Sequence, residues 1–167
     1  MIKAVVALAL TFLFLGCSSK SDEFTNVEAK LSVSKSLNNL KLKDQFEKEH
    51  TVPADTTKII FAFSKDGAHV CNDFFVTQTP TYLADNKTVF IADVSAAPSL
   101  IRSMFILPGL KDFKHTVLLL DDKAVAAPFR KDMDVEKIIV VSLNAGNITK
   151  VETLTTEKEL KATIEAK

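Results

Sequence analysis

The spacing of apolar residues changes along the chain, and each change marks an element. Residues 4–15 (AVVALALTFLFL) are apolar apart from Thr11, whereas residues 18–29 are polar with no hydrophobic period. Leu31 with Val33, and Leu40 with Leu42, alternate over short stretches and read as weak strands. Residues 58–64 (KIIFAFS) form a nearly continuous apolar run, which predicts a strand covered on both faces in the middle of a sheet. Asp66-Gly67 then turns the chain. Val70, Cys71, Phe74, Phe75 and Gln78 follow at helical spacing until Thr79-Pro80 stops them.

The remainder repeats this grammar. Residues 88–94 predict a second buried strand, and Pro98 suits the first turn of a helix. Leu100, Ile101, Met104 and Phe105 should give that helix its core-facing side, and Pro108-Gly109 should end it. Residues 116–120 predict a third strand, Asp121-Asp122-Lys123 a turn, and Ala124-Val125-Ala126 a short stretch that pairs back. Residues 137–143 are another apolar strand, joined through a turn at 144–147 to a returning strand carrying Ile148, Val151 and Leu154. Thr156 with Glu159 matches a capping box that opens a last helix containing Leu160 and Ile164. The order strand, helix, strand, helix, strand, hairpin, helix describes one three-layer α/β domain over residues 30–167.

Composition narrows the function classes. With 21 basic and 21 acidic side chains the 167 residues carry no net charge. No excess of cations is available to neutralise phosphates, which excludes an electrostatically driven nucleic-acid binder. The apolar run at 4–15, as a helix, reaches about 18 Å, short of the roughly 30 Å hydrocarbon core. Behind Lys3 it therefore reads as a signal peptide over residues 1–16 rather than a span. Gly16-Cys17, followed by the polar residues Ser18-Ser19-Lys20-Ser21-Asp22-Glu23, resembles the lipobox of bacterial lipoproteins. The resemblance implies that the Cys17 thiol is acylated by diacylglycerol and becomes the mature N-terminus, with residues 17–29 as a tether. It also implies a membrane partner through the anchor, an envelope location facing the periplasm and an envelope protein as binding partner. Ser18 after the Cys resembles lipoproteins sorted to the outer membrane of Gram-negative bacteria.

Residues 40–50 (LKLKDQFEKEH), followed by a central strand, look like the entrance hairpin of redoxins, with Glu47 in place of the customary turn Gly. Residues 138–164 are similar to the closing hairpin and helix of the same superfamily. The chain thus resembles the thioredoxin-like superfamily, in particular its redoxin and peroxiredoxin branch, and the implied fold is a three-layer thioredoxin-like sandwich with a mixed central sheet.

Thiol oxidoreductases of that superfamily place a CxxC pair at the start of the helix after the first central strand, where free backbone N–H groups and the helix dipole stabilise a thiolate. Here that place holds Ala68-His69-Val70-Cys71, so the first cysteine is missing and intramolecular dithiol exchange is excluded. In the PxxxTxxC pattern of peroxiredoxins, Ser64 stands at the Pro position and Ala68 at the Thr position. The cis-Pro expected before the site-facing strand is missing as well, since His115 precedes Thr116 and Glu136-Lys137 precede Ile138. Cys71, with Arg102 or Arg130 as a peroxide-binding Arg, is the candidate for the alternative reading as a single-thiol redox protein. The reading preferred from sequence makes Cys71 a buried apolar residue and the domain a non-catalytic binding or accessory module.

Two other clusters carry weaker signals. Asp66, Asp93 and Asp121-Asp122 each follow a parallel strand, where ligands bind in open α/β sheets, and such carboxylates can hold Mg²⁺. Asp is also a common turn former, and no phosphate-binding Gly loop accompanies these. His69 and Cys71 fall about 200° apart on a helix, and His50, His69 and His115 share no ligand spacing, so neither a metal nor any other cofactor is expected.

Overall fold

The computed structural model describes residues 27–166. The expected signal peptide, Cys17 and most of the expected tether lie outside the described residues.

A seven-stranded sheet has the order β2-β1-β5-β4-β3-β6-β7. Its centre is β3 (Lys58–Ala62), parallel to β4 (Thr88–Asp93), which is parallel to β5 (Leu118–Leu120). β3 also pairs antiparallel with β6 (Ile138–Asn144), and β6 with β7 (Asn147–Leu154). On the other side β1 (Lys41–Asp44) runs antiparallel to β5 and to β2 (Glu49–Thr51). The sheet is mixed, and β3 lies inside it because its side chains are apolar on both faces: Ile59, Ile60 and Phe61 are fully buried.

Alternation along the strands divides the core in two. Ile60, Phe90, Leu119 and Val140 face a layer built by α1 (Lys65–Val76), α2 (Tyr82–Asp85) and α6 (Glu157–Glu165), through Cys71, Phe74, Phe75, Leu83, Leu160 and Ile164. Ile59, Phe61, Ile91, Leu118 and Val141 face α5 (Lys123–Arg130) through Ala126 and Phe129, and they face the chain entering the domain through Leu31 and Leu37. The α6 capping box is formed, with Thr156 and Glu159 each satisfying the other's backbone N–H.

Three expectations need correction. Leu31 and Val33 do not make a strand. The entering segment is a run of bends and turns, and it bonds to the closing hairpin through the Ser34 amide to Ile148 and the Leu37 amide to Gly146, with one isolated bridge at Ser36–Asn147. Leu31 is buried and Val33 exposed, so the segment is a cover over the sheet. Ala124-Val125-Ala126 does not pair back: the Asp122 carboxylate accepts from the amides of Ala124 and Val125, which starts α5 instead.

The third correction concerns residues 99–110. Helix α3 (Ser99–Ile101) runs into a π-helical stretch (Arg102–Ile106) and on through Pro108-Gly109 as α4 (Leu107–Leu110), so Pro108-Gly109 does not end it. Pro108 has no N–H to return to the preceding turn, and the Leu107 amide reaches back to the Arg102 carbonyl, which produces the wider turn. Leu100, Ile101, Met104 and Phe105, the expected core face, point outward. The inward side is Arg102, Ile106, Leu107 and Leu110, the last three packed on the α1-side core. The helix has two apolar stripes, and Arg102 selects between them by donating to the carbonyls of Asp121 (2.7 Å) and Val94 (3.4 Å).

The β1–β2 turn is held by Asp44, whose Oδ1 accepts from the amides of Phe46 and Lys48 and whose Oδ2 meets His50 Nε2 at 2.7 Å. Glu47 sits at φ +65°, left-handed backbone that favours Gly. In the β6–β7 turn Gly146 sits at φ +76°, and a Cβ there would lie 1.7 Å from Asn38 Oδ1. In urea titrations Glu47→Gly is expected to stabilise the protein by about 0.5–1 kcal/mol, while Gly146→Ala destabilises it by about 1 kcal/mol or more.

Candidate functional site

The carboxyl ends of β3 and β4 open onto a cavity of about 650 Å3 between the start of α1 and the helix at 99–110. Ser64, Lys65, Ala68 and His69 approach it from α1, Ala96 and Ala97 from the loop after β4, and Phe105, Ile106 and Phe113 from the far side. Ser64 caps α1: its Oγ accepts from the Gly67 amide at 3.1 Å and donates weakly to the Glu136 carbonyl at 3.4 Å. No thiol stands at this helix start.

Cys71 lies in the second turn of α1 and is fully buried, in the same apolar cluster as Phe74, Phe75 and Phe90. Burial pushes its thiol well above the ordinary range, because nothing around it compensates a thiolate. Neither candidate Arg serves it. Arg130 Nη1 pairs with Asp93 Oδ2 at 2.9 Å, and Arg102 is spent on the two carbonyls. Asp93, offered by the sequence as a metal ligand, has a fully buried side chain whose second oxygen accepts from the Ser95 amide at 2.8 Å. Its lone pairs are therefore committed to Arg130 and to the loop that lines the cavity. Asp122 is committed to its cap. Among the described residues no group of three His, Cys, Asp or Glu side chains is placed to hold a metal ion.

A buried polar chain reaches the cavity from behind. Gln45, just past β1, donates from Nε2 to the His115 carbonyl and accepts at Oε1 from the Val117 amide, both at 2.9 Å, and so substitutes for a ladder pair where β5 begins. His115 Nε2 meets Asn72 Oδ1 of α1 at 2.9 Å, and Asn72 lines the cavity. Phe113 stacks on the His115 ring (centroids 5.1 Å) and Phe75 meets it edge-on (5.2 Å). In the sequence Gln45 stands out only as part of a hairpin, and His115 only as the absence of a Pro and as one of three histidines without ligand spacing. Asn72 gives a faint signal there, a polar residue beside an apolar stripe.

Burial lowers the His115 pKa from 6.5 to about 4. The unfolded chain therefore takes up a proton first. Stability from this group is complete above about pH 6.5, falls as the pH drops towards about 4, and is flat below. The whole effect is at most about 3 kcal/mol. His115→Gln should flatten the stability profile between those limits in urea titrations; an unchanged slope would show that His115 is not the group responsible.

A scan against family models finds no match, and a search of curated proteins finds none either. Solved structures do match in shape. A proposed protein disulfide isomerase from Bacteroides thetaiotaomicron has a TM-score of 0.54 at 14% identity, over 83% of this chain and 89% of that one. A proposed thiol:disulfide interchange protein DsbE from Chlorobium tepidum has 0.53 at 9%, over 80% and 93%. The thioredoxin domain of a thiol-disulfide oxidoreductase from Bacteroides vulgatus has 0.51 at 13%, over 81% and 99%. At such identities the likeness speaks to architecture alone: the chain has a thioredoxin-like fold.

Proposed function

We propose that this chain is a lipid-anchored envelope protein whose thioredoxin-like domain binds a partner protein and performs no thiol exchange. The observation that carries the second half is the position of Cys71. Thiol–disulfide and peroxide chemistry both start from a thiolate that a substrate can reach. A helix N-terminus stabilises that thiolate by its free N–H groups, but here those groups face Ser64 and a cavity without sulfur. The one cysteine among the described residues is buried one turn deeper, in a cluster of Phe rings. What occupies the oxidoreductase position is an apolar cavity edged by Lys65 and His69, a surface suited to binding.

The first half rests on Gly16-Cys17 behind a short apolar run and ahead of a polar stretch. Two or three acyl chains on Cys17 give stable anchoring, at about 0.8 kcal/mol per buried methylene.

Two measurements test the reading. Intact-mass analysis of the protein purified from its native membrane should show a chain starting at acylated Cys17, and a mature N-terminus without lipid would overturn the anchor. Alkylation of Cys71 in the native protein should proceed only as fast as the domain unfolds and show no low-pKa titration, becoming immediate in denaturant. Rapid native alkylation with a thiolate pKa below about 8.5 would overturn the non-redox reading and favour a single-thiol redox protein.

A further inference from the structure

The outward stripe Leu100, Ile101, Met104 and Phe105 belongs to the helix that borders the cavity, and Phe105 stands at the cavity's rim; Leu100 and Phe105 are each 65% exposed. Four large apolar side chains on one helical face are more than scattered surface residues require. We infer that this stripe rests on the lipid surface to which Cys17 anchors the chain, and fixes which face of the domain the membrane sees. The inference rests on the lipid-anchor reading above.

Three observations select a bilayer as the occupant. The chain enters the described domain at Val27, which shares a cavity wall with Ser95 and Ala96, the loop that leads straight into α3. The point where the chain enters the domain therefore lies beside the loop that leads to the stripe. Nine residues separate Cys17 from Val27, a reach of at most roughly 35 Å, so a lipid on Cys17 holds this end close to the headgroups.

Charge agrees. No acidic residue occurs from Val94 to Lys111, a stretch that holds Arg102 and Lys111. On the neighbouring walls the charges balance: Asp93 is paired with Arg130 and Asp132 with Lys131, and Asp66 and Asp122 stand beside Lys65 and Lys123. An apolar stripe on a stretch that carries two cations and no carboxylate suits the interface of an anionic bilayer. The stripe need not be strong enough to recruit the protein alone, because the anchor makes its contact intramolecular.

The chain contains no Trp, so a single introduced indole reports cleanly. The mature lipidated protein carrying Phe105→Trp is reconstituted into phosphatidylethanolamine–phosphatidylglycerol vesicles with brominated acyl chains. Val76→Trp, exposed at the opposite end of α1, is the reference. Intact mass is taken on both samples. With acylated Cys17, the emission of the Phe105→Trp protein should shift to the blue and be quenched roughly twofold relative to unbrominated vesicles, while that of the Val76→Trp protein is unaffected. Equal or absent quenching in both variants with the lipid present overturns the stripe contact and leaves the anchor standing. A blue shift of the Phe105→Trp protein that grows with protein concentration in detergent, together with no quenching by brominated lipid, overturns it in favour of a second copy of the chain. Absence of lipid on Cys17 overturns the anchor itself, and this inference with it.

Discussion

Burial of β3 and β4 on both faces is the constraint on which the rest of the molecule depends. Ile59, Ile60, Phe61, Phe90 and Ile91 leave almost nothing to solvent, and each large side chain removed from water contributes about 1.5–3 kcal/mol. Alternate residues point to opposite sides, so the strands cannot be stable until two layers cover them. One layer comes from α1, α2 and α6. The other is thinner: α5 supplies Ala126 and Phe129, and the entry segment supplies Leu31 and Leu37. That division explains why residues with weak local structure, such as those from 30 to 40, are nonetheless held by backbone bonds to Pro128, Ile148 and Gly146.

Polar groups are placed around this core with all buried side-chain atoms among the described residues satisfied. At the carboxyl ends of the strands, Asp93 binds Arg130 and Arg102 binds two carbonyls. At the amino end of β5, Gln45 and His115 tie the entrance hairpin to α1 through Asn72. Asp93, Arg130 and Arg102 occupy the positions where catalytic residues of an α/β protein are sought, and all of these groups are spent on holding a loop or a strand end in place. Paired carboxylate, paired guanidinium and neutral imidazole leave the cavity above α1 with an apolar surface that Lys65 and His69 edge.

The order of elements was legible in the chain because it is written in short-range periods: continuous apolar runs at 58–64, 88–94 and 137–143, the helical stripe through Cys71, Phe74 and Phe75, and the Thr156–Glu159 cap. The missing cysteine at the start of α1 was equally plain, since one residue type at one place decides it. The helix at 99–110 misled, because its sequence offers two apolar stripes and periodicity has no means of ranking them. Ala124-Val125-Ala126 misled for a related reason: three small apolar residues have no period, and the Asp122 cap outweighs them.

The sequence by itself determined the order of the central strands and of the helices α1 and α6, the α/β class, the absence of a dithiol and the signal at Gly16-Cys17, all of them consequences of local pattern or of single residues. Tertiary structure alone decided that Asp93 meets Arg130, that Gln45, Asn72 and His115 form one buried chain, that Cys71 is out of reach of both arginines, and that Leu100 and Phe105 face outward. Those outcomes join residues 37 to 72 positions apart, or depend on which side of a helix another element covers. Hydrophobic period carries neither kind of information, because it records that a face is apolar and not what lies against it.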